Sequence, residues 1–257
     1  VLILLPPSES KNPPRGRTRP VDLSTLSFPE LTAVRTKVLR ALIETSSRPD
    51  AAARLLVGPS IAEEVRRNTR LERLPARPVV EIYSGVLFSA LEAATLSPVG
   101  KRRAASRLVI VSGLWGALRP GDRIPPYRLN ICSDLVGLGE LEPLWRSVLP
   151  TALADAAGRQ GLVVDCRSTS YRAVGMPDGL GDRTVVIRVV RDDGKRAATG
   201  YVSKQTRGEV ARYLLESGVN PATPHDLADA LANAWDVEVK PPKRPGQPWT
   251  ADVAAAD

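Results

Sequence analysis

The chain has 257 residues, is 43% hydrophobic and 25% charged, and carries a formal net charge of +8. That length holds one large core or two small ones, and no apolar run approaches the roughly 20 residues that a membrane span needs. One histidine and two cysteines are too few soft ligands for a dedicated transition-metal site, and nothing in the cysteine spacing indicates a disulfide framework.

The charge is uneven. Residues 1–128 hold 21 Lys+Arg against 11 Asp+Glu, and residues 129–257 hold 15 against 17. A basic half beside a near-neutral half is the footprint of an anionic or nucleic-acid partner. A general bias toward arginine over lysine gives the same count without any such partner.

Val1 to Leu5 is apolar, stops at Pro6-Pro7, and reads as a buried first strand. It is too short for a signal-peptide core, so the expected compartment is the cytoplasm. Residues 6–20 hold five prolines with Lys11, Arg15, Arg17 and Arg19, a basic irregular loop. Leu31 to Ile43 has helical apolar spacing. Ala51 to Arg70 reads as two short helices broken at Gly58-Pro59, with Ser60 as the cap of the second. Val79 to Ile82 reads as a short strand, Val86 to Leu96 as a helix, and Leu108 to Val111 as a second buried strand. A helix over Pro143 to Ala157 ends at Gly158, and Leu162 to Asp165 is a third buried strand.

Val185 to Val190 is β-branched and predicts a hairpin with Ala197 to Ser203 through Arg191-Asp192-Asp193-Gly194. Arg207 to Glu216 and Leu227 to Ala234 read as the last helices. The only histidine, His225, sits among Pro221, Pro224 and Asp226 in a loop and helix cap, a poor place for a catalytic triad member. Short buried strands interleaved with helices indicate an α/β fold. The expectation is a single compact domain over 1–239, a mixed β-sheet flanked by helices, followed by a loose tail over 240–257.

The stretch with the most chemistry is Ser112 to Arg128, SGLWGALRPGDRIPPYR. Its glycines allow close backbone approach and its prolines stiffen the loop. Arg119 and Arg128 suit bidentate contacts with phosphate or carboxylate, and Trp115 and Tyr127 could offer stacking faces. A structural loop with Arg119 and Arg128 paired to acids such as Asp122, and both aromatics in the core, fits the residues equally well. In the Ser8-Glu9-Ser10-Lys11 loop, Lys11 suits a phosphate clamp, or a nucleophile if desolvation lowers its pKa. Lys204 and Arg207, three apart at a helix start, can share one face and hold a phosphate, or form surface ion pairs. Arg66 and Arg67 make the second short helix basic. Asp122 and Asp165 either hold arginines or serve as a general base. An enzymatic reading would draw on Lys11, Tyr83 and Asp122.

At Ser112 to Leu129 the chain resembles the YaaA peroxide-stress family, whose pattern is roughly S-G-L-[YW]-G-x-L-R-P-x-D-x-[IM]-x-P-Y-R-L. Other blocks similar to the family follow the same order along about residues 1–220. They are Leu2 to Lys11 (with Ser10 where relatives often have Gly), Tyr83-Ser84-Gly85, Trp145, Val163 to Tyr171, and Ser203 to Gly208. The resemblance implies one α/β domain with a positively charged cleft and a helix-hairpin-helix-like element. It also implies DNA binding and protection from hydrogen peroxide by limiting iron-driven damage. The stretch Leu56 to Val65 is the candidate hairpin, with one glycine where such hairpins usually have two.

The resulting expectation is a protein that binds DNA or another phosphate-bearing polyanion, largely independent of sequence, with no cofactor, metal or membrane. The alternative is an enzyme acting on a nucleotide, nucleobase or similar small anion in a pocket at the same cleft. Strand ends in α/β folds gather on one edge of the sheet. Arg119 and Arg128 are therefore expected to point into one cleft with Lys11, Lys204 and Arg207, and Ser8 and Tyr127 are further candidates for anion contact.

Overall fold

The computed structural model describes residues 1–13, 16, 18–191 and 200–255. Arg15, Arg17 and the proposed turn 191–194 beyond Arg191 lie outside the described residues. Seven strands form one sheet: β1 (Leu2–Leu5), β2 (Leu108–Ser112), β3 (Gly116–Leu118), β4 (Val163–Asp165), β5 (Thr184–Val190), β6 (Val237–Lys240) and β7 (Trp249–Ala254). Their order is β6-β7-β5-β4-β1-β2-β3. The five strands from β7 to β2 run parallel, and an antiparallel strand closes each edge.

The central strands owe their position to composition. Every residue of β1, β2 and β4 is buried, and such continuous apolar runs suit parallel strands covered on both faces. The cover comes from α1 (Thr32–Ser46), α2 (Ala51–Arg54), α3 (Ala62–Asn68), α4 (Val79–Ile82), α5 (Val86–Leu91), α6 (Pro98–Arg107), α7 (Leu141–Arg146), α8 (Leu149–Ala157), α9 (Thr169–Ala173), α10 (Tyr201–Ser217) and α11 (Pro224–Leu231). From β1 the chain goes to β2 on one side, and from β4 it goes to β5 on the other. The loops after β1 and β4 therefore diverge, which opens a crevice at the carboxyl edge of the sheet.

Five local expectations are corrected. Val79 to Ile82 is one helical turn, not a strand; a stretch of four residues suits either state, and its amino end is fixed by Pro78 and by the Asp122 carbonyl, which accepts from the Val79 amide. The helix expected over 143–157 is two helices, because Pro150 in the first turn of α8 can neither donate to, nor fit against, a continuing α7. Ser60 caps nothing: Pro59–Ile61 forms a tight turn and α3 starts at Ala62. Tyr201 to Ser203 is already α10, and β5 is flanked by the parallel strands β4 and β7 rather than by a hairpin partner. The tail is not loose, since β7 lies inside the sheet, with Asp252 held by Arg188 and Lys240.

Helices α5 and α10 pack closely at Gly208. A Cβ there would fall 2.2 Å from the Leu87 carbonyl oxygen and 2.9 Å from the Ala90 Cβ. Gly208→Ala gains about 1 kcal/mol of helix propensity but forces the helices apart, so a net loss of about 1–3 kcal/mol is expected in urea unfolding. A neutral or stabilised variant would show that the two helices slide without cost.

Candidate functional site

The carboxyl edge carries the chemistry. After β1 the chain runs through Pro6-Pro7 to Ser8 and Lys11, and Lys11 pairs with Tyr83 in an isolated bridge. Ser84 donates to the Ser10 carbonyl, and Asn12 donates to that of Ile82. The Ser8 hydroxyl donates to the Ser84 carbonyl. Gly85, at φ +102°, permits this approach, since a Cβ there would sit 2.9 Å from the Ser8 Oγ. The loop after β1 is thus clipped to the start of α5.

Lys11 sits above the aromatic cluster of this edge. Its Nζ lies 4.1 Å from the Tyr127 ring centroid and 5.5 Å from that of Tyr83, within cation–π range. It donates to the carbonyls of Ser8 at 2.7 Å and Glu9 at 3.3 Å. The Arg128 guanidinium reaches the same Glu9 carbonyl at 3.4 Å and the Glu9 carboxylate at 2.9 Å. Burial, then the neighbouring Arg128 cation, lower the Lys11 pKa to about 7, against weaker opposing pulls from Glu64 and Glu9. Below the amine, the Tyr83 and Tyr127 hydroxyls are 2.8 Å apart, and Tyr127 is 2.6 Å from the Ser112 Oγ. Burial raises both phenols, Tyr127 to about 12, so both are neutral hydrogen-bonding groups.

Two adjoining cavities open beside this cluster. One, of about 350 Å³, is lined by the Pro6–Ser10 loop, by Val86 to Phe88 of α5, and by Tyr171. The other, of about 290 Å³, is lined by Thr169, Arg172, Ser203, Val186 to Val189 of β5 and Thr250 of β7. Ser168, Lys204 and Arg207 border both. The segment after β4 that supplies Ser168 and Tyr171 is anchored by a buried pair. Arg167 donates to both Asp165 oxygens at 2.9 and 2.7 Å, and to the carbonyls of Tyr171 and Gly175.

The structure gathers Ser8, Lys11, Tyr83, Tyr127, Arg128, Lys204 and Arg207 at this edge. Tyr127 is buried, packed edge-on to Trp115 with centroids 6.1 Å apart, and offers no stacking face. Arg119 and Asp122 are elsewhere. Strand β3 runs antiparallel to β2, with Ser112 opposite Gly116 and Ile110 opposite Leu118, so the chain leaves it at the amino edge. There Arg119 donates to the Ser106 carbonyl at 2.7 Å and lies over Phe28. The Asp122 carboxylate accepts from the Ser27 amide and hydroxyl and from the Arg119 amide. Both residues shape a loop and are removed from the site. Arg66 is exposed and tied to Glu63 on its own helix at 2.6 Å, and neither it nor Arg67, its neighbour on α3, is among the residues that line the two cavities. Sequence reasoning missed Tyr171, Arg172 and Ser168 as cavity residues. Their signal was their place just past the end of β4, the same place that Ser8 holds after β1.

Among the described residues, no group of three or more His, Cys, Asp or Glu side chains gathers as metal ligands do, and no helix is long and apolar enough to cross a membrane. The sequence model of the family described as peroxide stress protein YaaA matches residues 1–240. A UPF0246 protein of Streptomyces coelicolor is 42% identical over 257 residues, covering 98% of both chains. One from Corynebacterium efficiens is 40% identical over 236 residues, covering 91% of this chain and 93% of its own. One from Ruegeria is 33% identical over 170 residues, covering 64% and 68%. With near-complete coverage by both the family pattern and its relatives, the chain belongs to the YaaA peroxide-stress family.

Proposed function

We propose that this protein serves peroxide-stress protection in the cytoplasm by holding phosphates of DNA, largely without regard to base sequence, at the carboxyl edge of its sheet. The observation that supports the reading is that Lys11 and Arg128 both converge on Glu9, and Glu9 lines one cavity together with Lys204 and Arg207. Lys204 and Arg207 sit in the first turns of α10, a 17-residue helix with no acidic residue in its first turn. Its amino end adds positive potential at the same place. Arg66 and Arg67, on a helix of only seven residues, would contribute a peripheral contact at most. The test is the affinity for a labelled 20-base-pair duplex as salt is raised. Four phosphate contacts give a log–log slope of about −3 to −4; a flat response removes the proposal.

Glu9 is paired with Arg128. Its side chain is 65% exposed, against 10% for Arg128, so the carboxylate can swing away at little cost while the arginine stays. Glu9→Gln is expected to raise affinity for the duplex by up to about fivefold at pH 6, the worth of roughly one surface ion pair. The melting temperature stays within a few degrees. Unchanged affinity would place the ligand away from Arg128.

A second reading, an enzyme acting on a nucleotide, nucleobase or similar small anion, is favoured by one observation. An amine with a pKa of about 7 beside a second cation has the activation that nucleophilic and basic lysines need. Product formation from a nucleotide panel, abolished in Lys11→Met, would establish it; no turnover of any member would dismiss it.

A further inference from the structure

Lys11 is placed as a reactive amine rather than as a surface cation. Its backbone is fixed by the bridge to Tyr83 that clips the β1 loop to the start of α5. Its Nζ donates to the Ser8 carbonyl at 2.7 Å and the Glu9 carbonyl at 3.3 Å. Both of those residues line the cavity of about 350 Å³, together with the apolar Val86, Leu87 and Phe88. The amine is thus held against the loop that walls a space large enough for a small molecule. Among the described residues no carboxylate pairs with this amine, because the Glu9 carboxylate is taken up by Arg128. Arg128 also reaches the Glu9 carbonyl that Lys11 uses, which puts a second cation beside it. A lysine set beside another cation and low-polarity surroundings is activated toward carbonyl carbons. With a pKa of about 7, roughly half of the amines are neutral at pH 7. Two donated hydrogen bonds occupy both hydrogens of the neutral amine and leave its lone pair free.

The geometry points to Lys11 as an imine-forming residue, whose Nζ condenses with the carbonyl carbon of a small phosphate-bearing aldehyde. This assignment rests on the second reading of the site, in which Lys11 is the reactive group. The step needs no oxidant or reductant. The neutral amine adds to the aldehyde carbon, one amine proton passes to the carbonyl oxygen, and the C=O double bond becomes the single bond of a carbinolamine. The hydroxyl then leaves as water with a proton from solvent, while the nitrogen lone pair closes the C=N bond. The protonated imine returns that proton to solvent when it becomes neutral. Lys11 is only half-buried, so water reaches it. Lys204, an exposed cation lining the same cavity, gives an aldehyde that carries a phosphate an advantage over a neutral one. The source of such an aldehyde is either a free sugar phosphate or a deoxyribose in a DNA strand that has lost its base.

The experiment is reductive trapping on the full chain. Cyanoborohydride converts an imine into a stable secondary amine, and peptide mass mapping identifies the lysine that carries it. The probes are deoxyribose 5-phosphate, deoxyribose, and a duplex with one abasic site beside its intact counterpart. At pH 7 Lys11 is expected to be trapped at least about tenfold faster than any other lysine of the chain, since an ordinary lysine is less than about 0.1% neutral there. Its trapping rate is expected to rise with pH and level off, with a midpoint near the Lys11 pKa of about 7. Deoxyribose 5-phosphate is expected to react about threefold faster than deoxyribose, the worth of one exposed ion pair, and Lys204→Glu to erase that difference. Faster trapping by the abasic duplex than by the free sugar phosphate assigns the source to a strand; the reverse assigns it to the free compound. Label spread evenly over the lysines, or equal rates for the two free sugars, overturns the proposal. Lys11-dependent turnover of a nucleotide without an adduct from any probe leaves the enzymatic reading standing and removes the imine. Neither turnover nor adduct removes both.

Discussion

Arg167→Met is expected to destabilise the protein by about 3–5 kcal/mol, because it leaves a carboxylate buried without its cation. Asp165 ends β4 and neither it nor Arg167 is accessible to solvent. Two charge-assisted hydrogen bonds join them, and the guanidinium also satisfies the carbonyls of Tyr171 and Gly175. The variant removes all four contacts and keeps only the amide of residue 167 as a donor to Asp165. At about 2–4 °C per kcal/mol for a chain of this size, the melting temperature is expected to fall by about 10 °C. The segment after β4 carries Ser168, Tyr171 and Arg172, so anion binding weakens too, even at temperatures where the variant is folded. The pair Asp165→Leu with Arg167→Met separates charge from shape. Replacing both partners by apolar groups is often close to neutral, so the double variant is expected to recover much of the stability but not the binding. A loss under about 1 kcal/mol in the single variant would mean that water reaches Asp165.

The strands and helices that were readable share one property: their signal is local. Strands β1, β2 and β4 are built on the apolar runs Leu2 to Leu5, Leu108 to Val111 and Leu162 to Val164, next to Pro, Ser-Gly or Asp-Cys-Arg boundaries, and the sheet uses all of them as its centre. Trp249 to Ala254 was not readable as a strand. Its alternation is blurred by alanines, it follows a Pro-rich stretch, and Asp252 looks like a solvent residue until Arg188 and Lys240 are brought to it from 64 and 12 residues away. The site shows the same divide. Lys11, Lys204 and Arg207 follow strands or open a helix, so a rule about strand ends puts them at the carboxyl edge of the sheet. Arg119 defeats that rule because a three-residue antiparallel strand carries the chain to the opposite edge before Arg119 emerges. The company of Lys11, which sets its chemistry, comes from Tyr83, Tyr127 and Arg128, and no spacing along the chain announces that they meet.

Duplex binding is expected to be about tenfold tighter at pH 6 than at pH 8, and the dependence is expected to vanish in Lys11→Met. The Lys11 amine titrates near pH 7 in the folded protein, below its ordinary 10.5, and phosphate contact draws on its charged form. Each pH unit above 7 then costs up to tenfold in the fraction of protein ready to bind. Phosphodiester DNA is the right probe, because a phosphomonoester titrates near pH 6 itself. The same shift has a consequence for stability, with the opposite sign. Between about pH 7 and 10.5 the unfolded chain binds more protons at Lys11 than the folded one, so stability rises with pH across that window. Below about pH 7 both states carry the proton, and the penalty for burying the charge beside Arg128 is fully present. Lys11→Met is therefore expected to melt higher than the parent at pH 6, with the difference shrinking toward pH 10. The two readouts move apart only if one buried amine is held neutral by folding and charged by the ligand. A lysine that merely decorates the surface leaves both profiles flat.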